Sequence, residues 1–131
     1  MKALFPYAAT TGDVTVRVAV NFLADQSDPA KNRWVWAYHI RIENAGANPV
    51  QLLSRNWRIE DNAGGRHRVQ GEGVVGEQPV IAPGASYDYV SGCPLEAPSG
   101  SMRGSYRMVA EEAEFDVTIP PFALVSPAVA R

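Results

Sequence analysis

A chain of 131 residues with 46% hydrophobic and 20% charged residues can enclose one core and has the composition of neither a disordered tail nor a membrane protein. A formal net charge of −2 removes the electrostatic case for non-specific nucleic-acid binding. No stretch approaches the roughly 18 apolar residues of a spanning helix, so no membrane insertion is expected. One cysteine, Cys93, precludes an internal disulfide, and Pro6 with Thr10-Thr11-Gly12-Asp13 breaks the apolar start too early for a signal peptide, so a cytoplasmic location is the simplest expectation.

Along the chain the period is two. Val14, Val16, Val18, Val20 and Phe22 alternate with Thr15, Arg17, Ala19 and Asn21, which predicts a strand with one branched apolar face. Ala24 to Pro29 reads as a loop. The second strand carries Trp34, Trp36, Tyr38, Ile40 and Ile42 on one row and His39, Arg41 and Glu43 on the other; its apolar row is the heaviest in the chain and is expected at the centre. After the turn Asn44 to Pro49, the strand Val50 to Asp61 changes face. Val50 and Leu52 suit one side and Leu53, Trp57 and Ile59 the other, which predicts a bulge or burial on both faces. Asp61-Asn62-Ala63-Gly64-Gly65 signals a hairpin returning through Arg66 to Val69.

The glycine-rich segment Gly71-Glu72-Gly73-Val74-Val75-Gly76 is expected to cross between sheets, followed by a strand from Ala85 to Ser91 and a loop from Gly92 to Gly100. Met102 to Val109 and Glu114 to Ile119 form the last pair of strands, with Pro120-Pro121 expected to end the pairing because neither residue can donate to a ladder. About seven short strands and no useful helix predict an all-β, two-sheet antiparallel sandwich of immunoglobulin or fibronectin type III shape. It is read as a single domain over 1–131, with 1–12 and 123–131 as loosely packed ends.

Gly71, Gly73 and Gly76 match G-x-G-x-x-G, but a dinucleotide site needs a helix starting there, and Glu77-Gln78-Pro79 follows instead. The bland reading is glycines that permit unusual backbone angles. The functional reading is an anion nest of successive amides served by Arg55, Arg58, Arg66 and Arg68 from the preceding hairpin, with phosphate or pyrophosphate as ligand; Glu72 and Glu77 count against it. His39 and His67 have no ligand spacing, and Asp25, Asp28, Glu72 and Glu77 form no dense cluster, so no metal or other cofactor is expected. Cys93, between Gly92 and Pro94, has no evident activating base, so no catalytic residue is assigned and the chain reads as a non-enzyme. The long segments Gly71–Pro79 and Gly92–Gly100 are candidates for binding an unidentified protein partner.

The blocks Gln51-Leu52-Leu53-Ser54-Arg55-Asn56-Trp57, Gly71 to Pro79 and Ser91-Gly92-Cys93-Pro94-Leu95, extended by Gly104-Ser105-Tyr106-Arg107-Met108 and Phe115 to Pro120, resemble the ApaG family over almost the whole chain. Asn56 departs from it, standing where the family pattern has histidine, which counts against metal chemistry at that position. The resemblance implies a fibronectin type III-like sandwich. It further implies a link to cobalt resistance and magnesium efflux, with related domains elsewhere serving as protein-interaction modules and the glycine motif suggested as a phosphate or nucleotide site. The combined expectation is a non-catalytic interaction domain accessory to divalent-cation efflux, centred on Gly71, Gly73, Gly76, Arg55, Arg66, Arg68, Glu72 and Glu77, with pyrophosphate or nucleotide binding at the same loop as the alternative.

Overall fold

The computed structural model describes residues 4–127. Its strands are β1 (Tyr7–Thr11), β2 (Val14–Phe22), β3 (Trp34–Asn44), β4 (Val50–Asp61), β5 (Arg66–Glu72), β6 (Val80–Ile81), β7 (Ser86–Leu95), β8 (Ser99–Ala110) and β9 (Ala113–Val125). All pairings are antiparallel and make two layers, β1-β2-β3-β7 and β5-β4-β8-β9, with β6 also on β4. Short 3-10 turns at Ala24–Gln26 and Pro29–Lys31 occupy the first expected loop. The sandwich is as the alternation predicts; the strands outnumber the seven expected because β1 and the two-residue β6 carry little pattern of their own.

Burial follows the alternation. Val14, Val16 and Val18 of β2 and Trp36, Tyr38, Ile40 and Ile42 of β3 face Leu52 and Trp57 of β4, Met102, Tyr106 and Met108 of β8, and Val117, Ile119, Phe122 and Leu124 of β9. Trp57 meets Tyr38, Tyr106 and Phe122 edge-on, joining rings from both sheets. The Trp36 indole donates to the Val125 carbonyl at 3.2 Å, tying the central strand of one sheet to the end of the other. Buried Asn44 fixes the passage between layers: its amide donates to the carbonyls of Asn48 (2.8 Å) and Ile81 (3.0 Å) and accepts from the Gly46 N–H.

The face change in β4 is a bulge. Leu52 pairs with Met108 and Ser54 with Arg107, leaving Leu53 as the extra residue. One added residue reverses the parity of the strand, so Val50 and Leu52 before it and Trp57 after it all point to the core.

Four expectations are corrected. The segment from Gly71 to Gly76 does not cross between sheets: β5 pairs with β4 as far as Ser54↔Glu72, and β6 resumes on the same edge at Gln51↔Val80, so β5 and β6 are one edge strand interrupted by an excursion. The crossing comes later, around Gly84, whose N–H donates to Asn44 O at 2.7 Å. Gly92 to Gly100 is mostly strand, since β7 runs to Leu95 and β8 begins at Ser99; Pro94 is accommodated because β7 is an edge strand. Pro120-Pro121 does not end β9. Two residues there oppose the single Arg103, between Gly104↔Ile119 and Met102↔Phe122, so the missing donors are absorbed in a bulge and pairing continues to Val125. Of the expected loose ends, 7–11 and 123–125 are strand, paired to β2 and β8; 1–3 and 128–131 lie outside the described residues. Thr11 Oγ1 accepts the Thr118 N–H at 3.1 Å, which holds β1 against β9 and closes that side of the sandwich.

Two outcomes are expected from these contacts. The Tyr89 and Tyr106 hydroxyls share a buried hydrogen bond, and burial pushes both phenols well above their ordinary value. Tyr106→Phe should cost about 1–3 kcal/mol in urea unfolding because Tyr89 is left unsatisfied, whereas adding Tyr89→Phe should cost less than a second such penalty; strictly additive losses would show that the hydroxyls do not depend on each other. The β8–β9 hairpin turns through Glu111 (φ 49°) and Glu112 (φ 67°), both left-handed. Replacing the pair with Asn-Gly should raise stability by about 1 kcal/mol in the same assay.

Candidate functional site

In the excursion, Val75 (φ 44°) and Gly76 (φ 81°) are both left-handed, and Val74 and Glu77 exchange N–H···O bonds of 2.8 and 2.9 Å. That is a two-residue hairpin at the tip of a loop, with an exposed β-branched residue in a costly conformation. No helix starts at Gly76. Gly73 also has positive φ (64°), and a Cβ there would overlap the Glu77 carbonyl. The Gly73 N–H donates to Leu53 O, and the Gln78 side chain donates to the same carbonyl. With the amides of Gly73, Val74 and Glu77 engaged inside the chain, the loop does not present an unbroken row of free donors.

The expected arginines divide. Arg55 follows the Leu53 bulge, so it points to the inner side of its sheet beneath the edge strand. Its Nη1 donates to Glu72 O (3.0 Å) and Gly73 O (2.8 Å), and its guanidinium lies 3.0 Å from where a Cβ on Gly71 would stand. A side chain at Gly71 would press on the Arg55 guanidinium. Arg66 and Arg68 sit on β5 opposite Glu60 and Arg58, exposed on the outer face. Glu72 is exposed, while Glu77 accepts the Tyr87 hydroxyl at 2.8 Å and links the excursion to β7. Thus Arg55 gathers Gly71, Glu72 and Gly73, Gly76 and Glu77 form the tip of the excursion, and Arg66 and Arg68 point to the outer face, Arg68 also bordering the cleft that Arg55 enters.

What pattern alone did not reveal is a cleft of about 490 Å³ between the edges of β5 and β7. Tyr38, Trp57 and Met102 line it with Val69 from β5 and Cys93 and Pro94 from β7, and Arg55 enters from one side. Val69 is 38% exposed at its rim. None of the ion pairs among the described residues includes Arg55, so a half-buried cation lies in a cleft of mixed lining, where His67, Arg68 and Ser91 stand beside the aromatic floor, with only carbonyls as its hydrogen-bond partners.

Of the remaining reactive groups, His67 is exposed on β5 at the border of the cleft, while Cys93 and His39 are buried or paired. Cys93 is on a strand and faces the core, and burial pushes its thiol up to about 11, away from the thiolate that nucleophilic chemistry needs. His39 lies 3.1 Å from Asp88, which also takes two hydrogen bonds from Arg41 (2.9 and 2.8 Å); those bonds hold the Asp88 carboxyl below its usual range. Phe5 covers this cluster, edge-on to His39 and beneath the Arg41 guanidinium at 4.9 Å. Among the described residues no three His, Cys, Asp or Glu side chains converge as a metal site, and no helix is long and apolar enough to cross a membrane.

Comparison with known proteins gives this geometry a family. The family model described as ApaG domain matches residues 24–110. The Protein ApaG of Rhodospirillum centenum is 51% identical over 122 residues, 92% of this chain and 94% of that protein. The Protein ApaG of Parvibaculum lavamentivorans is 48% identical over 126 residues, 95% and 97% of the two chains. A crystal structure from Bordetella pertussis, of a protein described as ApaA, superposes with a TM-score of 0.84 at 44% identity and covers 95% of this chain and 98% of its own. The excursion, the inward Arg55 and the cleft beside them therefore belong to a member of the ApaG domain family.

Proposed function

We propose that this chain is a non-catalytic binding module whose protein partner inserts an extended segment into the cleft between β5 and β7. The observation that carries the reading is Arg55, a half-buried guanidinium without a carboxylate, set in an aromatic-floored cleft flanked by the edges of two strands. Free edges offer backbone pairing, the aromatic floor offers area, and the cation selects a segment bearing a carboxylate or phosphate. The raised Cys93 thiol supports a binding role over nucleophilic catalysis. In the cell we read the module as a cytoplasmic accessory to cobalt and magnesium efflux that acts on a transporter or its regulator.

A second reading, pyrophosphate or nucleotide held at the excursion, is favoured by the Arg55 guanidinium lying against Gly71. The engaged amides of Gly73, Val74 and Glu77 make it the weaker of the two.

Affinity capture with the wild type and three variants tests both. Val69→Asp and Arg55→Gln alter the cleft, while Val90→Asp changes an exposed residue paired with His39 on the other sheet. A stoichiometric partner retained by Val90→Asp and weakened about tenfold or more by each cleft variant is expected. Full retention by both cleft variants would falsify the assignment. Stabilisation by pyrophosphate that vanishes in Arg55→Gln, with no protein captured, would select the second reading.

A further inference from the structure

The outer face of the β5-β4-β8-β9 sheet carries a second and separate feature. Arg68, Arg58 and Arg103 are direct lateral partners on β5, β4 and β8, in register through Arg58↔Arg68 and Arg58↔Arg103. Neighbouring strands lie about 5 Å apart, so three like charges stand in a row across the sheet, an arrangement that is destabilising unless an anion compensates it. Among the described residues the only ion pair the row makes is Arg103 with Glu60, at 3.7 Å. Further along β8, by contrast, Arg107 has both Glu114 (3.7 Å) and Asp116 (3.4 Å). Three guanidinium groups with one carboxylate leave positive charge in excess at this end of the face, on a chain whose formal net charge is −2.

Beside the row is a depression of about 320 Å³, lined by Asn56, Arg58, Arg103, Ser105, Thr118 and Pro121. The bulge at Pro120-Pro121 creates it by displacing β9 opposite Arg103. The Asn56 side-chain oxygen there is buried and has no hydrogen-bond partner. An orphan amide of this kind calls for a ligand group: a hydroxyl to donate to its oxygen, or an anionic oxygen if the amide is turned to present its N–H.

We propose that the Arg58–Arg68–Arg103 row and the Asn56 depression form a binding site for a small hydroxylated phosphate ester, the guanidinium groups taking the phosphate and Asn56, Ser105 and Thr118 taking the hydroxyls. Arginine forks match phosphate geometry, and the depression is of the size of a sugar phosphate rather than a polymer. The depression lies on the opposite face of the sheet from the Arg55 cleft, and of the residues named for it only Arg68 also borders that cleft.

Amide chemical shifts followed during titration with ribose 5-phosphate, inorganic phosphate and ribose provide the test. Ribose 5-phosphate should give saturable shifts at Arg58, Arg103, Ser105 and Thr118 with an affinity of about 1 mM or tighter, inorganic phosphate weaker ones and ribose none. Arg58→Gln and Arg103→Gln, both at exposed positions, should each weaken ribose 5-phosphate about tenfold while keeping the fold. In phosphate-free buffer Arg58→Gln should also melt higher than wild type, because it removes the central repulsion. Absence of saturation at these residues, shifts confined to Gly71–Gly76, unchanged affinity in both variants, or a lower melting point for Arg58→Gln each overturns the proposal. A failed partner capture in the Arg55 cleft variants leaves these outcomes untouched.

Discussion

Leu53 is the constraint on which the rest of the structure turns. Pleated backbone alternates strictly, so a β4 without the extra residue could bury Val50 and Leu52 or Trp57, but not both sets. Losing Trp57 from the interior would remove the ring that meets Tyr38, Tyr106 and Phe122. The same residue serves the edge strand: its carbonyl accepts from the Gly73 N–H and the Gln78 side chain, anchoring both ends of the excursion between β5 and β6. Packing of the core, the inward aim of Arg55 and the shape of the glycine loop thus share one origin.

Much of the architecture was legible because burial imposes a two-residue period wherever one face meets a core. The rows in β2 and β3 are of this kind, and the face change in β4 announced its bulge. The errors fell where a residue's meaning depends on neighbours distant in sequence. The segment holding Pro94 read as a loop and Pro120-Pro121 as a stop, yet an edge position tolerates the one and a bulge absorbs the other two. β1 and β6 are too short to show a pattern, and only their partners make them strands.

The candidate site was legible in part. The glycine spacing marked a segment with special backbone needs, and Gly73 and Gly76 do adopt positive φ. The letters alone could not separate a phosphate loop from a strand excursion, since that depends on whether the amides are free, and here three of them are engaged. Arg55 was singled out with Arg66 and Arg68 by proximity in sequence, although the bulge sends it to the opposite side of the sheet. Arg103 was missed altogether. It joins Arg58 only through the register of β4 on β8, which no local signal encodes.

The two long sides of the sandwich are unequal. On one, the Thr11 side chain holds β1 to β9, and paired prolines bend β9 where a foreign strand would need donors. On the other, the edges of β5 and β7 stand on either side of a single opening. A strand-by-strand filament requires exposed edges pointing in opposite directions, one to receive and one to offer. With the β5 and β7 edges gathered at one mouth, a segment that enters there meets both sheets at once instead of extending either one outward.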